Sequence, residues 1–265
     1  MPIKVKLTLY FLAIGLIPLF ILAILTFNNY RNSLEAARIS QLRAVTALKA
    51  EKIETYFAGL KNDIKIAQSG YAIKKSFQVL NQFAYDPTNP EFLANKAILD
   101  AGMLKKMASS IGLFDILLVH PDGRIVYTTN SEHYQKYFLN FLPDPGQKAF
   151  KEGKEKIYIS DVFLNQREGN KPELLLTAPA FDSKGVFIGV IAFEVDMAPL
   201  YRLIQDVTGL GETGETLLGK KIGNQVVYLN PLRHDLGTAL KKTVTIGADI
   251  SRPIQKAAHG RNGPF

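Results

Sequence analysis

Residues 174–181 read LLLTAPAF and residues 186–196 read VFIGVIAFEVD, with Asp182-Ser183-Lys184-Gly185 between them. Two apolar runs of strand length, joined by a short turn sequence ending in glycine, read as an antiparallel hairpin. Upstream, Phe114–His120 (FDILLVH) is a strand, Pro121-Asp122-Gly123 a tight turn, and Arg124–Thr129 (RIVYTT) the returning strand. Lys156–Leu164 (KIYISDVFL) reads as one further strand, with a mixed loop and helix region at residues 130–153 before it. Downstream, a helix from about Met197 to Val207 stops at Thr208-Gly209. Five antiparallel strands with helices on one side make an α+β module.

A smaller pattern follows. ETLLGKK (215–221), the turn at Ile222–Asn224 and QVVYLN (225–230) form a new hairpin. KKTVTIG (241–247) supplies a third strand and residues 250–260 a short helix. Before the first module the chain is helical. From Asn28 to Ser69, Leu34, Ala37, Leu42, Val45, Leu48, Ile53, Phe57, Leu60 and Ile64 recur at helical steps, giving a rod of about 60 Å with one apolar face. Helices over Tyr71–Phe83 and Pro90–Ile111 follow, separated by DPTNP (86–90).

At the N-terminus, Leu7–Phe27 carries no charge in 21 residues. As a helix it spans about 31 Å, close to the roughly 30 Å hydrocarbon core of a bilayer, and Pro18 is tolerated there with a kink. The run exceeds the roughly 7–15 apolar residues of a signal peptide, and FNNYRNS (27–33) offers no small-x-small cleavage site. An uncleaved membrane anchor is the reading, with Lys4 and Lys6 favouring a cytoplasmic N-terminus.

Composition narrows the function. The 265 residues are 47% hydrophobic and 21% charged, ordinary for a folded chain. No cysteine is present, so thiolate chemistry, disulfides and cysteine-held metals are excluded. The net charge of +8 is scattered among acids, which argues against nucleic acid and fits a solvated basic surface beside lipid.

Gly209-Leu210-Gly211-Glu212-Thr213-Gly214 matches G-x-G-x-x-G, but a helix precedes it and a strand follows, the reverse of a dinucleotide site. It reads as a linker that needs glycine's freedom at φ > 0. His120, His133, His234 and His259 have no metal-set spacing, and no catalytic grouping is evident, so catalytic residues, metal ligands and cofactors are all expected to be absent. Polar and aromatic residues on apolar strands are the candidate ligand-binding set: Tyr127, Tyr158 and Asp161, with Asp196 equally placed to cap the helix that follows it.

Taken together, the anchor, QLRAVTALKAEKIETYF (41–57), YISDVFL (158–164), TAPAFDSKGVFIGVIAFEVDMAPL (177–200) and TGLGETGETLLGKKIGNQVVYLNPLRHD (208–235) resemble the double Cache sensor domains of bacterial transmembrane receptors, most of all those of sensor histidine kinases. The resemblance implies a long signalling helix beside two PAS-like antiparallel-sheet modules, the second incomplete here. It divides the chain into a cytoplasmic N-terminus (1–6), transmembrane helix (7–27), long helical region (28–112), membrane-distal module (113–197), linker helix and glycine-rich join (198–214) and truncated membrane-proximal module (215–265). Ligands of the family usually bind the distal module. Amino-acid-binding members carry an arginine, a tryptophan and a tyrosine after the second strand. This chain has no tryptophan, and SEHYQKYF (131–138) offers Tyr134 and Tyr137 instead, while Asp196 matches the closing aspartate.

The expected function is therefore the sensory region of a receptor in the bacterial inner membrane, its sensor periplasmic or extracellular. It binds a small ligand, dimerises through its long helix and passes a helix movement inward to a histidine kinase. The alternatives are a chemoreceptor, a diguanylate cyclase, or a truncated membrane protein that does not signal.

Overall fold

The computed structural model describes residues 2–261 and Gly263. Met1 and residues 262, 264 and 265, which fall in the expected first and last segments, lie outside the described residues. The chain divides into two units, Met1–Leu48 with Val207–Gly214, and Lys49–Asp206 with Glu215–Gly263.

The first unit holds the N-terminal part of helix α1 (Ile3–Ser69), which runs through Pro18 without interruption. The rod expected from Asn28 is the direct continuation of the apolar stretch within this one element. By length and composition α1 can cross a membrane. From Leu7 to Phe27 its residues are exposed apart from half-buried Ala13. In the same unit Gln41 donates to the Gly209 carbonyl at 3.0 Å. Gly209 and Gly211 sit at φ +79° and +73°, the region that favours glycine and that the linker reading required.

The second unit is built on a six-stranded antiparallel sheet in the order β2-β1-β6-β5-β3, with β4 also on β5. Its strands are β1 (Leu113–Val119), β2 (Ile125–Thr128), β3 (Tyr158–Ile159), β4 (Phe163–Asn165), β5 (Lys171–Phe181) and β6 (Phe187–Asp196). The central hairpin β5–β6 closes on Asp182, whose Oδ1 accepts from the amides of Lys184 and Val186 at 2.8 Å each. Register places Ile116, Phe193 and Leu176 on one face, and Leu117, Ala192 and Thr177 on the other.

The first face packs on helices. Leu60, Ile64 and Ala67 of α1 join α2 (Tyr71–Gln82), α3 (Pro90–Ala101) and α4 (Met103–Ile111) in one core with Phe77, Phe92 and Leu104. The helix expected over residues 90–111 is divided at Gly102, whose backbone is extended and where a Cβ would lie 2.8 Å from the Ile98 carbonyl. The second face is not solvent-exposed, as helices on one side alone would leave it. Residues 131–157, including α5 (Tyr134–Tyr137) and α6 (Lys148–Gly153), cover it through Tyr137, Leu142 and Ala149. Both faces being buried explains why β5 and β6 read as continuous apolar runs.

This cover is stitched to the outer edge of β2. Leu139 N donates to the Ile125 carbonyl (2.8 Å) and Ile125 N to that of Asn140 (2.9 Å). Leu139 and Gln147 both adopt φ +57° although neither is glycine.

The strand expected over residues 156–164 is two strands. Ser160 Oγ accepts the Leu175 amide at 2.8 Å, so a side chain replaces the backbone carbonyl in the ladder and β3 ends. After β6, α7 (Ala198–Gln205) follows. A second sheet, β7-β8-β9 (Gly219–Ile222, Gln225–Tyr228, Thr243–Thr245), then packs on α8 (Arg252–Ala258) around Val226, Tyr228, Val244 and Ile254.

Candidate functional site

A polar cleft opens between α3, α4 and the start of the cover. Lys96, Asp100, Lys105, Thr128, Ser131 and Tyr134 line its volume of about 290 Å3. A second hollow of about 200 Å3 shares Lys105 and Ser131. Two ammonium groups, a carboxylate and three hydroxyls converge on a space suited to a molecule of few heavy atoms. Lys96 Nζ bonds Asp100 Oδ2 at 2.6 Å and lies 5.7 Å from the Tyr134 ring centre. Behind Asp100, the Tyr127 hydroxyl bonds its Oδ1 at 3.1 Å. Burial, and then the Asp100 charge, push the Tyr127 phenol far above its ordinary pKa, so it remains a donor. Tyr134 is pushed up by burial and stacks on Phe138, centroids 4.7 Å apart.

Directly beneath the cleft lies a buried ionisable cluster. Asp115 of β1 and Glu194 of β6 are cross-strand neighbours, and both are fully buried with Glu173 of β5. Like charges directly opposite oppose sheet formation, so the fold must compensate them. Asp115 Oδ1 accepts from Thr129 N (2.8 Å), Thr129 Oγ1 (2.7 Å) and Asn130 N (3.1 Å). Its Oδ2 meets Thr128 Oγ1 and, at 3.1 Å, His133 Nδ1. Glu194 Oε1 accepts from Tyr137 Oη (2.8 Å) and Asn165 Nδ2 (3.0 Å). Asn165 also donates to Glu173 Oε2 at 2.7 Å. Glu194 Oε2 and Glu173 Oε1 are buried without a hydrogen-bond donor. Burial drives both glutamates above the usual carboxylate range, and the Glu173 charge adds to the rise at Glu194.

The six sequence candidates are distributed as follows. Tyr134 lines the cleft, Tyr127 lies buried behind Asp100, and Tyr137 belongs to the buried cluster. Tyr158 is half-buried at the edge of the covered face, with Lys148 Nζ 5.8 Å from its ring. Asp161 is exposed and pairs with Lys220 of β7. Asp196 Oδ1 accepts the Ala198 amide at 2.7 Å, the capping role. Sequence reasoning did not find Asp115, His133, Glu173 and Glu194. Their signal is a carboxylate in the interior of an apolar strand, which needs a partner once both faces are buried.

No family model matches the sequence, and no curated protein matches it. Solved structures do. An extracellular ligand-binding receptor from Desulfohalobium retbaense aligns at TM-score 0.50 and 12% identity, over 82% of this chain and 34% of the receptor. The sensor domain of the V. cholerae histidine kinase DctB is 16% identical over 60% of this chain and 57% of its own, at TM-score 0.41. The ligand-binding domain of the Pseudomonas aeruginosa PAO1 amino acid chemoreceptor PctC, in complex with GABA, is 15% identical over 76% of this chain and 75% of its own, at TM-score 0.44. The chain spans less than two thirds of the first two. At these identities the likeness is one of fold. The chain shares with the Desulfohalobium retbaense receptor an α+β fold, the fold class that the double Cache resemblance implies.

Proposed function

We propose that this chain is the membrane-anchored sensory region of a bacterial signal-transduction receptor, divided as the double Cache resemblance divides it. One observation carries the reading. A single helix, α1, contains both a bilayer-length apolar stretch and the residues Leu60, Ile64 and Ala67 that pack beneath the sensor sheet. A shift of packed helices by roughly 1–2 Å is the usual size of such a signal. The ligand is a small molecule carrying a carboxylate, held in the cleft by Lys96 and Lys105, with Thr128, Ser131 and Tyr134 completing its hydrogen bonds. It shifts the helix equilibrium only as far as it binds one packing more tightly than the other. Leu34, Leu42 and Leu48 are exposed along α1 and supply the apolar stripe for a homodimer. The output is a histidine kinase, with a chemoreceptor or diguanylate cyclase as the alternative.

The test is thermal unfolding of the full chain in nanodiscs against a panel of small mono- and dicarboxylates and amino acids. A melting rise with at least one, lost in Lys105→Met, is expected. A flat response across the panel overturns direct sensing at this cleft.

A further inference from the structure

We infer that Asp115, His133 and Glu194 form a binding site for a divalent transition-metal ion of the zinc class. One donor atom from each lies within 4.8 Å of the others. His133 Nδ1 is 3.1 Å from Asp115 Oδ2 and 3.8 Å from Glu194 Oε2. Donors at about 2.0–2.1 Å around a tetrahedral ion stand about 3.3–3.4 Å apart, so the two sides that meet at His133 are within about half an ångström of that spacing, and the Asp115–Glu194 side lies within 4.8 Å.

The surroundings have the form of a metal site's outer shell. Glu194 has one oxygen held by the protein and the other directed inward, while Asp115 Oδ2 is shared between Thr128 Oγ1 and His133 Nδ1. Asp115 Oδ1 is fixed by Thr129 and Asn130, and Glu194 Oε1 by Tyr137 and Asn165. Glu194 Oε2, in a fully buried side chain, has no hydrogen-bond donor and faces the imidazole. The far ring nitrogen, His133 Nε2, faces Glu168 Oε2 at 3.6 Å. A ring proton on Nε2, the nitrogen on the Glu168 side, would leave the Nδ1 lone pair for the ion. The Tyr137 ring stacks on the imidazole, centroids 5.0 Å apart, and fixes its plane.

Charge points the same way. Asp115, Glu173 and Glu194 are all fully buried, and among the described residues no lysine or arginine forms an ion pair with any of them. A buried carboxylate group of this size needs protons or a cation. The imidazole among the carboxylates selects a zinc-class ion over magnesium or calcium, which take oxygen ligands.

The experiment uses the full chain without a histidine tag, stripped with chelator and titrated with Co2+ and Zn2+. Wild type is expected to bind about one ion per chain, with a visible Co2+ d–d spectrum and a raised melting temperature. His133→Gln and Glu194→Gln should each lose the spectrum and weaken binding at least about tenfold, the usual cost of disturbing such a set. His259→Gln, which alters an exposed histidine just after α8, should leave both unchanged. Metal content near zero in wild type at saturating Co2+ overturns the proposal. So does a Co2+ spectrum that survives His133→Gln. If either variant fails to fold, the paramagnetically shifted imidazole NH resonance in the NMR spectrum of the Co2+-loaded wild type decides, and its absence refutes the assignment of a histidine ligand.

Discussion

Lys49→Met tests how α1 is tied to the end of α7. The Lys49 ammonium is nearly buried and donates to the carbonyls of Ile204 (2.9 Å) and Asp206 (2.5 Å) and to Thr216 Oγ1 (2.9 Å). It thus closes the C-terminal end of α7 and fastens the residues that lead into β7. A hydrogen bond from a charged donor contributes about 1.5–3 kcal/mol. Against three of these stands the cost of burying the ammonium, the same cost that lowers the Lys49 pKa. Methionine keeps the aliphatic packing and removes the donor that the Ile204 and Asp206 carbonyls share. Water recovers part of that loss at Asp206 and Thr216, which are only partly buried. The expected net loss is about 3 kcal/mol, as for breaking a buried charged contact. For a folded unit of this size that lowers the melting temperature by about 6–12 °C. Circular dichroism at 222 nm during thermal unfolding, checked by urea titration, reads it. A loss below about 1 kcal/mol would refute the reasoning, because the carbonyls would then be rehydrating freely.

Other perturbations probe other joints. In Gly189→Ala, a Cβ would stand 2.2 Å from the Val119 carbonyl at φ +132°, so a loss of about 3–5 kcal/mol or outright insolubility is expected in expression and melting assays. Asp196→Ala removes the bond to the Ala198 amide and should cost about 1 kcal/mol while leaving ligand affinity unchanged in calorimetry, which separates cap from pocket. Burial, with the Asp196 charge behind it, pushes the Tyr201 phenol up to about 12. The folded state therefore holds this proton more tightly than the unfolded one. That stability is intact below about pH 10 and is lost as pH rises from about 10 towards 12. Tyr201→Phe also removes a buried hydroxyl without a partner, so alkaline unfolding curves should flatten and neutral stability should hold or rise.

The β5–β6 hairpin was legible because its turn chemistry and its apolar runs agree, whereas the helix expected to run to Val207 and stop at Gly209 ends earlier, at Gln205, with Gly209 serving the linker at positive φ. Where tertiary contacts override local pattern, legibility ended. Nothing in KIYISDVFL announces that the Ser160 hydroxyl will take the place of a backbone carbonyl, and nothing in the 90–111 periodicity shows the close approach at Gly102. The anionic cluster was hidden for another reason. Its members come from β1, the segment before α5, β5 and β6, so only strand register brings Asp115 opposite Glu194. Asp161 illustrates the converse: a carboxylate beside a strand sequence that turns out to face solvent and meet Lys220.

The cover over the second sheet face is a loaded spring. A left-handed backbone costs an ordinary residue roughly 1–2 kcal/mol, and this segment holds two, Leu139 and Gln147. The closed cover is therefore not its backbone's own minimum. It stays shut because the contacts of Leu139 and Asn140 with Ile125, and the buried Tyr137 and Leu142, outweigh the strain. Opening begins with that energy returned, so this segment parts from the sheet more readily than a relaxed loop with the same contacts. Glycine at position 139 would unload the spring and favour the closed form.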